Sequence, residues 1–162
     1  MSPSTTPPNP PAGALTSPST ATPGAPAAPA DCPFCAIVDG RLPAAIVHQD
    51  ADTLAFLDIT AVTPGHTLVI PRRHATDLWE IDEQDALAVM RTVRRVAHRQ
   101  REVLDPAGLT LFQANRPAGW QDVFHLHVHV VPRAEDDRLS RPWTARPVPL
   151  SQLEPLRRLL AW

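Results

Sequence analysis

The sequence predicts an α+β domain: an antiparallel sheet of about five strands with one long helix and a short N-terminal helix. Three observations carry this. Between Asp82 and Leu104, apolar residues recur at spacings of three and four, the period of one buried helix face. Five short runs rich in aliphatic and β-branched residues stand between turn signals built from Pro, Gly and Asp. In the last of them, His125-Leu126-His127-Val128-His129 alternates polar and aliphatic side chains with the period of two that marks a strand. Strands this short, joined mostly by tight turns, pair antiparallel and need a helix to cover a face.

The elements follow in order. Asp31-Cys32-Pro33-Phe34-Cys35 opens the short helix, with Asp31 as N-cap and Pro33 in the first turn, and Gly40 and Pro43 end it. Ile46–His48 and Thr53–Leu57 form a hairpin around residues 49–52. Thr63-Pro64-Gly65 is a turn, and Thr67–Ile70 a strand stopped by Pro71. The long helix buries Ala86, Val89, Met90, Val93, Val96, Ala97, Gln100 and Val103, and Asp105-Pro106-Ala107-Gly108 terminates it. Leu109–Ala114 and Phe124–Val131 are the last strands. From about residue 134 the chain is irregular and rich in Arg and Pro, with a short terminal helix around Gln152–Leu160.

Residues 1–30 stand apart from this domain, which spans 31–162. They hold nine of the twenty prolines, with no charged or aromatic side chain and no apolar periodicity. Such a segment cannot bury enough surface to offset the entropy of ordering it, and reads as a disordered tail. It has neither the basic start nor the apolar stretch of a secretory signal. No run of about eighteen apolar residues predicts a membrane span, and the expected location is cytoplasmic. A net charge of −2 leaves no footprint for a long nucleic acid. All fifteen basic residues are arginine.

Side chains two apart on a strand share a face at about 6.6 Å intervals, so His125, His127 and His129 project together while Leu126, Val128 and Val130 point the other way. Three readings fit: the polar face of a half-buried strand, a three-histidine metal site with an open position, or nucleophilic catalysis. An imidazole titrates at about 6.5, so a neutral one is available near neutrality, provided its second nitrogen is held. The C-x-x-C at Cys32 and Cys35 has metal-ligand spacing but supplies only two ligands. A buried thiol pair and a redox role remain open, although a redox motif is expected to follow a strand and open a long helix. His48 and His66 read as structural, and His98 as a residue on the exposed side of the long helix.

The run Phe124-His125-Leu126-His127-Val128-His129-Val130-Val131-Pro132-Arg133 resembles the signature of the histidine-triad (HIT) family of nucleotide hydrolases and transferases. The likeness extends to Cys32-Pro33-Phe34-Cys35-Ala36-Ile37, Leu54–Ile59, Pro64–His74 and Asn115, in the family's order and approximate spacing.

The resemblance implies cleavage at the α-phosphate of a purine nucleotide conjugate or dinucleoside polyphosphate. His127 would form a covalent nucleotidyl intermediate and His129 would contact the phosphate. Asn115 and Gln121 would fix the phosphates and the active-site loop, and Asp58 would take the ribose hydroxyls. Phe34, Ile37, Phe56 and Ile59 would line the base pocket, a simple core role being the other reading of each. Zinc-bearing members imply a structural zinc on Cys32, Cys35, His74 and His125, and the family implies a homodimer. Two positions depart from the pattern. Where the family often has Gly-Gln-Ser or Gly-Gln-Thr, this chain has Trp120-Gln121-Asp122. A serine or threonine hydroxyl can donate to a phosphate; an ionised carboxylate can only accept and repels it. That departure motivates a second expectation, a nucleotide- and zinc-binding protein with little catalysis. Within the enzyme class the alternative is a nucleotidyltransferase or phosphorylase, which differs only in that phosphate instead of water attacks the intermediate.

Overall fold

The computed structural model describes residues 31–140 and 144–162; the tail expected over residues 1–30 lies outside them. The elements are α1 (Pro33–Val38), β1 (Ile46–Gln49), β2 (Thr53–Leu57), β3 (Thr67–Pro71), α2 (Glu83–Leu104), β4 (Gly108–Phe112), β5 (Val128–Arg133) and α3 (Leu150–Leu160), with a 3₁₀ turn at Pro117–Gly119. The five strands form one antiparallel sheet in the order β1-β2-β3-β5-β4. Strand count, pairing sense and the two leading helices agree with the sequence-based expectation.

Strand parity sorts the two faces of the sheet. Ala55 of β2, Val69 of β3, and Val128 and Val130 of β5 face α2, where they pack on Val89, Val93 and Val96. Leu54 and Phe56, then Leu68 and Ile70, take the opposite parity and pack under α1 on Phe34, Cys32 and Cys35. β5 is paired to β3 through Leu68 and His129. Its odd-numbered residues therefore share the α1 face.

α2 is capped at both ends. The Asp82 carboxylate accepts the Gln84 N–H, and Asp105 closes the helix in a left-handed conformation with φ 43°. Two polar residues tie its apolar face to the sheet. Thr92 is buried and its hydroxyl lies 2.8 Å from that of Thr53. Gln100 donates to the Gly65 and Val130 carbonyls.

Several boundaries differ from expectation. The N-cap of α1 is Cys32, whose sulfur accepts the Cys35 N–H, not Asp31. On α2, Met90 and Val103 are exposed, and Thr92 takes a place in the buried face. β3 runs through Pro71, which pairs with Thr53 while its carbonyl meets a histidine side chain. β4 ends at Phe112, and α3 begins at Leu150. β5 starts at Val128 instead of Phe124, because the chain ahead of it bonds elsewhere: Leu126 N–H donates to the Ala75 carbonyl and His125 N–H to that of Val123. The alternation of faces survives that break.

Candidate functional site

His127 lies on the α1 face, its ring edge-to-face with Phe34 at 5.3 Å and with His129 at 5.0 Å. Its Nδ1 lies 2.8 Å from the His125 carbonyl, an acceptor only, so Nδ1 carries the proton and Nε2 keeps its lone pair. Asp122 Oδ1 stands 3.8 Å from that Nε2.

His129 is held differently. Its Nδ1 lies 2.8 Å from His66 Nε2, and His66 Nδ1 accepts the Val62 N–H. The proton of neutral His66 is therefore on Nε2 and is donated to His129, whose own proton must sit on Nε2. Both rings are neutral: burial pushes His129 down to about 4, helped by His127 and His66, and burial likewise lowers His66. Side by side, the run presents one bare imidazole nitrogen and one N–H donor. That pair is what a nucleophile needs beside a phosphoryl oxygen.

Asp58 completes this corner. Its Oδ1 accepts the backbone N–H and the hydroxyl of Thr60, and Oδ2 faces His66 and His129 at 3.5 and 3.8 Å. Burial raises the carboxyl, but the backbone and hydroxyl hydrogen bonds from Thr60 oppose it, and Asp58 stays below its ordinary value. The Asp58, His66 and His129 ligand atoms lie within 4.8 Å of one another, as metal ligands do. The hydrogen bonding argues for a relay instead. Ligation through His66 Nε2 would move its proton to Nδ1, against the Val62 N–H.

A second cluster is suited to metal. Cys32, Cys35, His74 and His125 converge with all ligand atoms within 4.8 Å. Cys32 and Cys35 Sγ each lie 3.5 Å from His125 Nδ1, and Cys35 Sγ lies 3.3 Å from His74 Nδ1. Tetrahedral zinc with ordinary bond lengths separates sulfur from nitrogen by about 3.6 Å. His125 Nε2 donates to the Pro71 carbonyl at 2.9 Å, which leaves Nδ1 bare for the ion. Burial holds His125 down at about 4 and lowers His74, so both are neutral. Burial and the Cys32 contacts push the Cys35 thiol up to about 12, so it becomes a thiolate only with a cation beside it. The donor set fits zinc.

The remaining expected residues divide. Phe34 and Phe56 are buried and edge-to-face at 5.5 Å, with Ile37 packed on their cluster, whereas Ile59 is fully exposed. Gln121 is buried and fully engaged: its amide donates to the Thr76 and Val123 carbonyls and its oxygen accepts the Arg116 N–H. Asn115 accepts the Leu78 N–H and donates to Gln113. Both amides thus brace the loops that carry the site. Trp120 stacks on Phe112, which touches His129. His66, structural by the sequence reading, in fact contacts His129. No local signal could have found it, since the contact depends on the β3–β5 register that sets Leu68 against His129.

The HIT domain model matches residues 39–136. The chain belongs to the HIT family. This HIT chain is 41% identical to the Hit protein of Bacillus subtilis over 70% of its own length and 79% of that protein's. It is 30% identical to an adenosine 5′-monophosphoramidase of Schizosaccharomyces pombe, over 77% and 92% of the two chains. Among solved structures, a HIT family protein from Bacillus anthracis superposes with a TM-score of 0.77 at 32% identity, over 82% of this chain and 96% of the other. A Zn-bound histidine triad family protein from Mycobacterium smegmatis gives 0.65 at 38% identity, over 81% and 94%.

Proposed function

We propose that the protein is a nucleotide phosphoramidase or hydrolase working through a nucleotidyl–His127 intermediate. The observation that carries this reading is the fixed tautomer of His127, with Nδ1–H on a backbone carbonyl and Nε2 bare beside the His129 ring. Nε2 attacks the α-phosphorus. The bond to the leaving nitrogen or oxygen breaks with its electron pair, and the leaving atom takes a proton from solvent. Water then attacks the same phosphorus, giving the nucleoside monophosphate, and its proton is lost to solvent as the imidazole is regenerated. His129 Nε2–H donates to a phosphoryl oxygen, and Asp58 Oδ2 accepts from the ribose. Phe34 and Phe56 flank the base, while Asn115 and Gln121 position the loops. The Schizosaccharomyces pombe relative, by its name a phosphoramidase, supports the reaction class.

When bound, zinc would be held by Cys32, Cys35, His74 and His125. It would tie α1 to the loop before β5 without entering the reaction. A homodimer is part of the reading: β4 is an edge strand with Leu109 and Leu111 exposed, near an exposed Met90 on α2.

The test is the covalent adduct. Brief exposure to an adenosine phosphoramidate and intact-mass measurement should show one added adenylyl group, absent in His127→Ala. That variant should lose at least about a thousandfold in kcat/KM. Full turnover by His127→Ala would refute the mechanism. Asp122, 3.8 Å from the nucleophilic nitrogen, favours a second reading in which nucleotide binds with little turnover. Tight AMP binding without product release would select it, and ADP formed in phosphate buffer would point to a phosphorylase.

A further inference from the structure

The Asp122 carboxylate is fixed at the mouth of the site. Its Oδ1 accepts the Val123 N–H at 2.8 Å and lies 3.8 Å from His127 Nε2, while the side chain is 86% exposed. No arginine pairs with it among the described residues. Those in neighbouring segments are engaged elsewhere: Arg116 on Asp77, Arg73 on Asp85, Arg41 on Asp39, and Arg72 on the Asp50 carbonyl and Gln49. The chain has no lysine. Asp58, the other carboxylate of the site, lies near His129. A phosphorus approaching His127 therefore meets the Asp122 carboxylate with no arginine ion pair to offset it.

The charge of the leaving group then decides how well a substrate is received. A polyphosphate brings several negative charges towards Asp122, whereas an amine carrying a second, protonated amine brings a positive one. We propose that Asp122 makes the site selective for nucleotide phosphoramidates whose amine half is cationic, against anhydrides whose leaving group is a polyanion. This rests on the phosphoramidase or hydrolase reading above. The bond made and broken at phosphorus is unchanged; Asp122 acts on the charge of the group that departs. A unit charge about 5 Å from a carboxylate this exposed, in a dielectric between those of a protein surface and bulk water, is worth on the order of tenfold in kcat/KM.

The test uses three substrates on the full-length, zinc-loaded protein. They are the adenosine phosphoramidate of diaminopropane, that of butylamine (the same shape without the charge) and diadenosine tetraphosphate. Wild type should favour the diaminopropane compound over the butylamine compound about tenfold, and this preference should shrink with added salt. Asp122→Asn keeps the acceptor for Val123 N–H and loses the charge; it should bring the ratio to about one and raise activity on the tetraphosphate. Asp122→Ser should do the same, and matching unfolding midpoints would show that both variants fold. An unchanged ratio in Asp122→Asn, or an equal loss on all three substrates, overturns the charge selection while leaving the parent reading standing. No turnover of any substrate by wild type overturns both.

Discussion

The three histidines of one strand-like run have three different environments, and each is set by what holds the second ring nitrogen. His125 gives its proton to the Pro71 carbonyl and turns a bare nitrogen to the cysteines. His127 gives its proton to the His125 carbonyl and turns a bare nitrogen to the mouth of the site. His129 receives a proton from His66 and so turns an N–H outward. Shared direction was legible from the alternation alone. The difference in protonation was not, because it depends on carbonyls and a fourth histidine brought in from other segments. One expected outcome belongs to this scale. Cys35→Ser should lower bound zinc from about one per chain to near none, and cost at least about 3 kcal/mol of stability. Elemental analysis and thermal unfolding check it; a metal-stripped wild type with an unchanged midpoint would rule out a structural role.

At the scale of elements, α2 and the turn before β3 depend on each other. Gln100 is buried at 5% exposure and its amide reaches the carbonyls of Gly65 and Val130, joining helix, turn and β5. Gly65 has φ +85°, and an added Cβ would lie 2.5 Å from a Leu104 methyl. Gln100→Ala should cost about 1–2 kcal/mol, since it removes the amide hydrogen bonds to the Gly65 and Val130 carbonyls, of which Gly65 keeps the Thr67 hydroxyl as a donor. Urea unfolding measures this, and a loss below about 0.5 kcal/mol would show that Gln100 is not the tie. The helix itself was readable from its period, but which polar residues lay on its inner face was not. Thr92 and Gln100 are buried because Thr53 and two carbonyls face them, while Met90 and Val103 stay about half exposed.

The whole molecule responds to acid through its buried imidazoles. In the metal-free protein, His125 and His129 are held at about 4 by burial, against about 6.5 for an exposed imidazole. Between these values the unfolded chain binds more protons than the folded one, so stability rises with pH across the window. It should be level above about pH 6.5 and decline as pH falls towards 4, by at most about 1.4 kcal/mol per pH unit for each histidine. Denaturant midpoints at a series of pH values check this, and a flat profile from 7 to 4.5 would refute it. Among the described residues, no helix is long and apolar enough to cross a membrane.

The sequence by itself determined the periodicities: which residues form α2, which runs pair as strands, and that His125, His127 and His129 share a face opposite Leu126, Val128 and Val130. Those follow from fixed backbone geometry, and a local pattern suffices to read them. Tertiary structure decided what each shared-face residue meets. Cys32 and Cys35 reach His74 and His125 only when α1 and the loop after β3 close on the segment before β5. His66 meets His129 only through the β3–β5 register. Asp122 overlooks His127 only because Gln121 pins the intervening loop. Such contacts join residues far apart in the chain, and pairing register and buried hydrogen bonds select them, which no local period encodes.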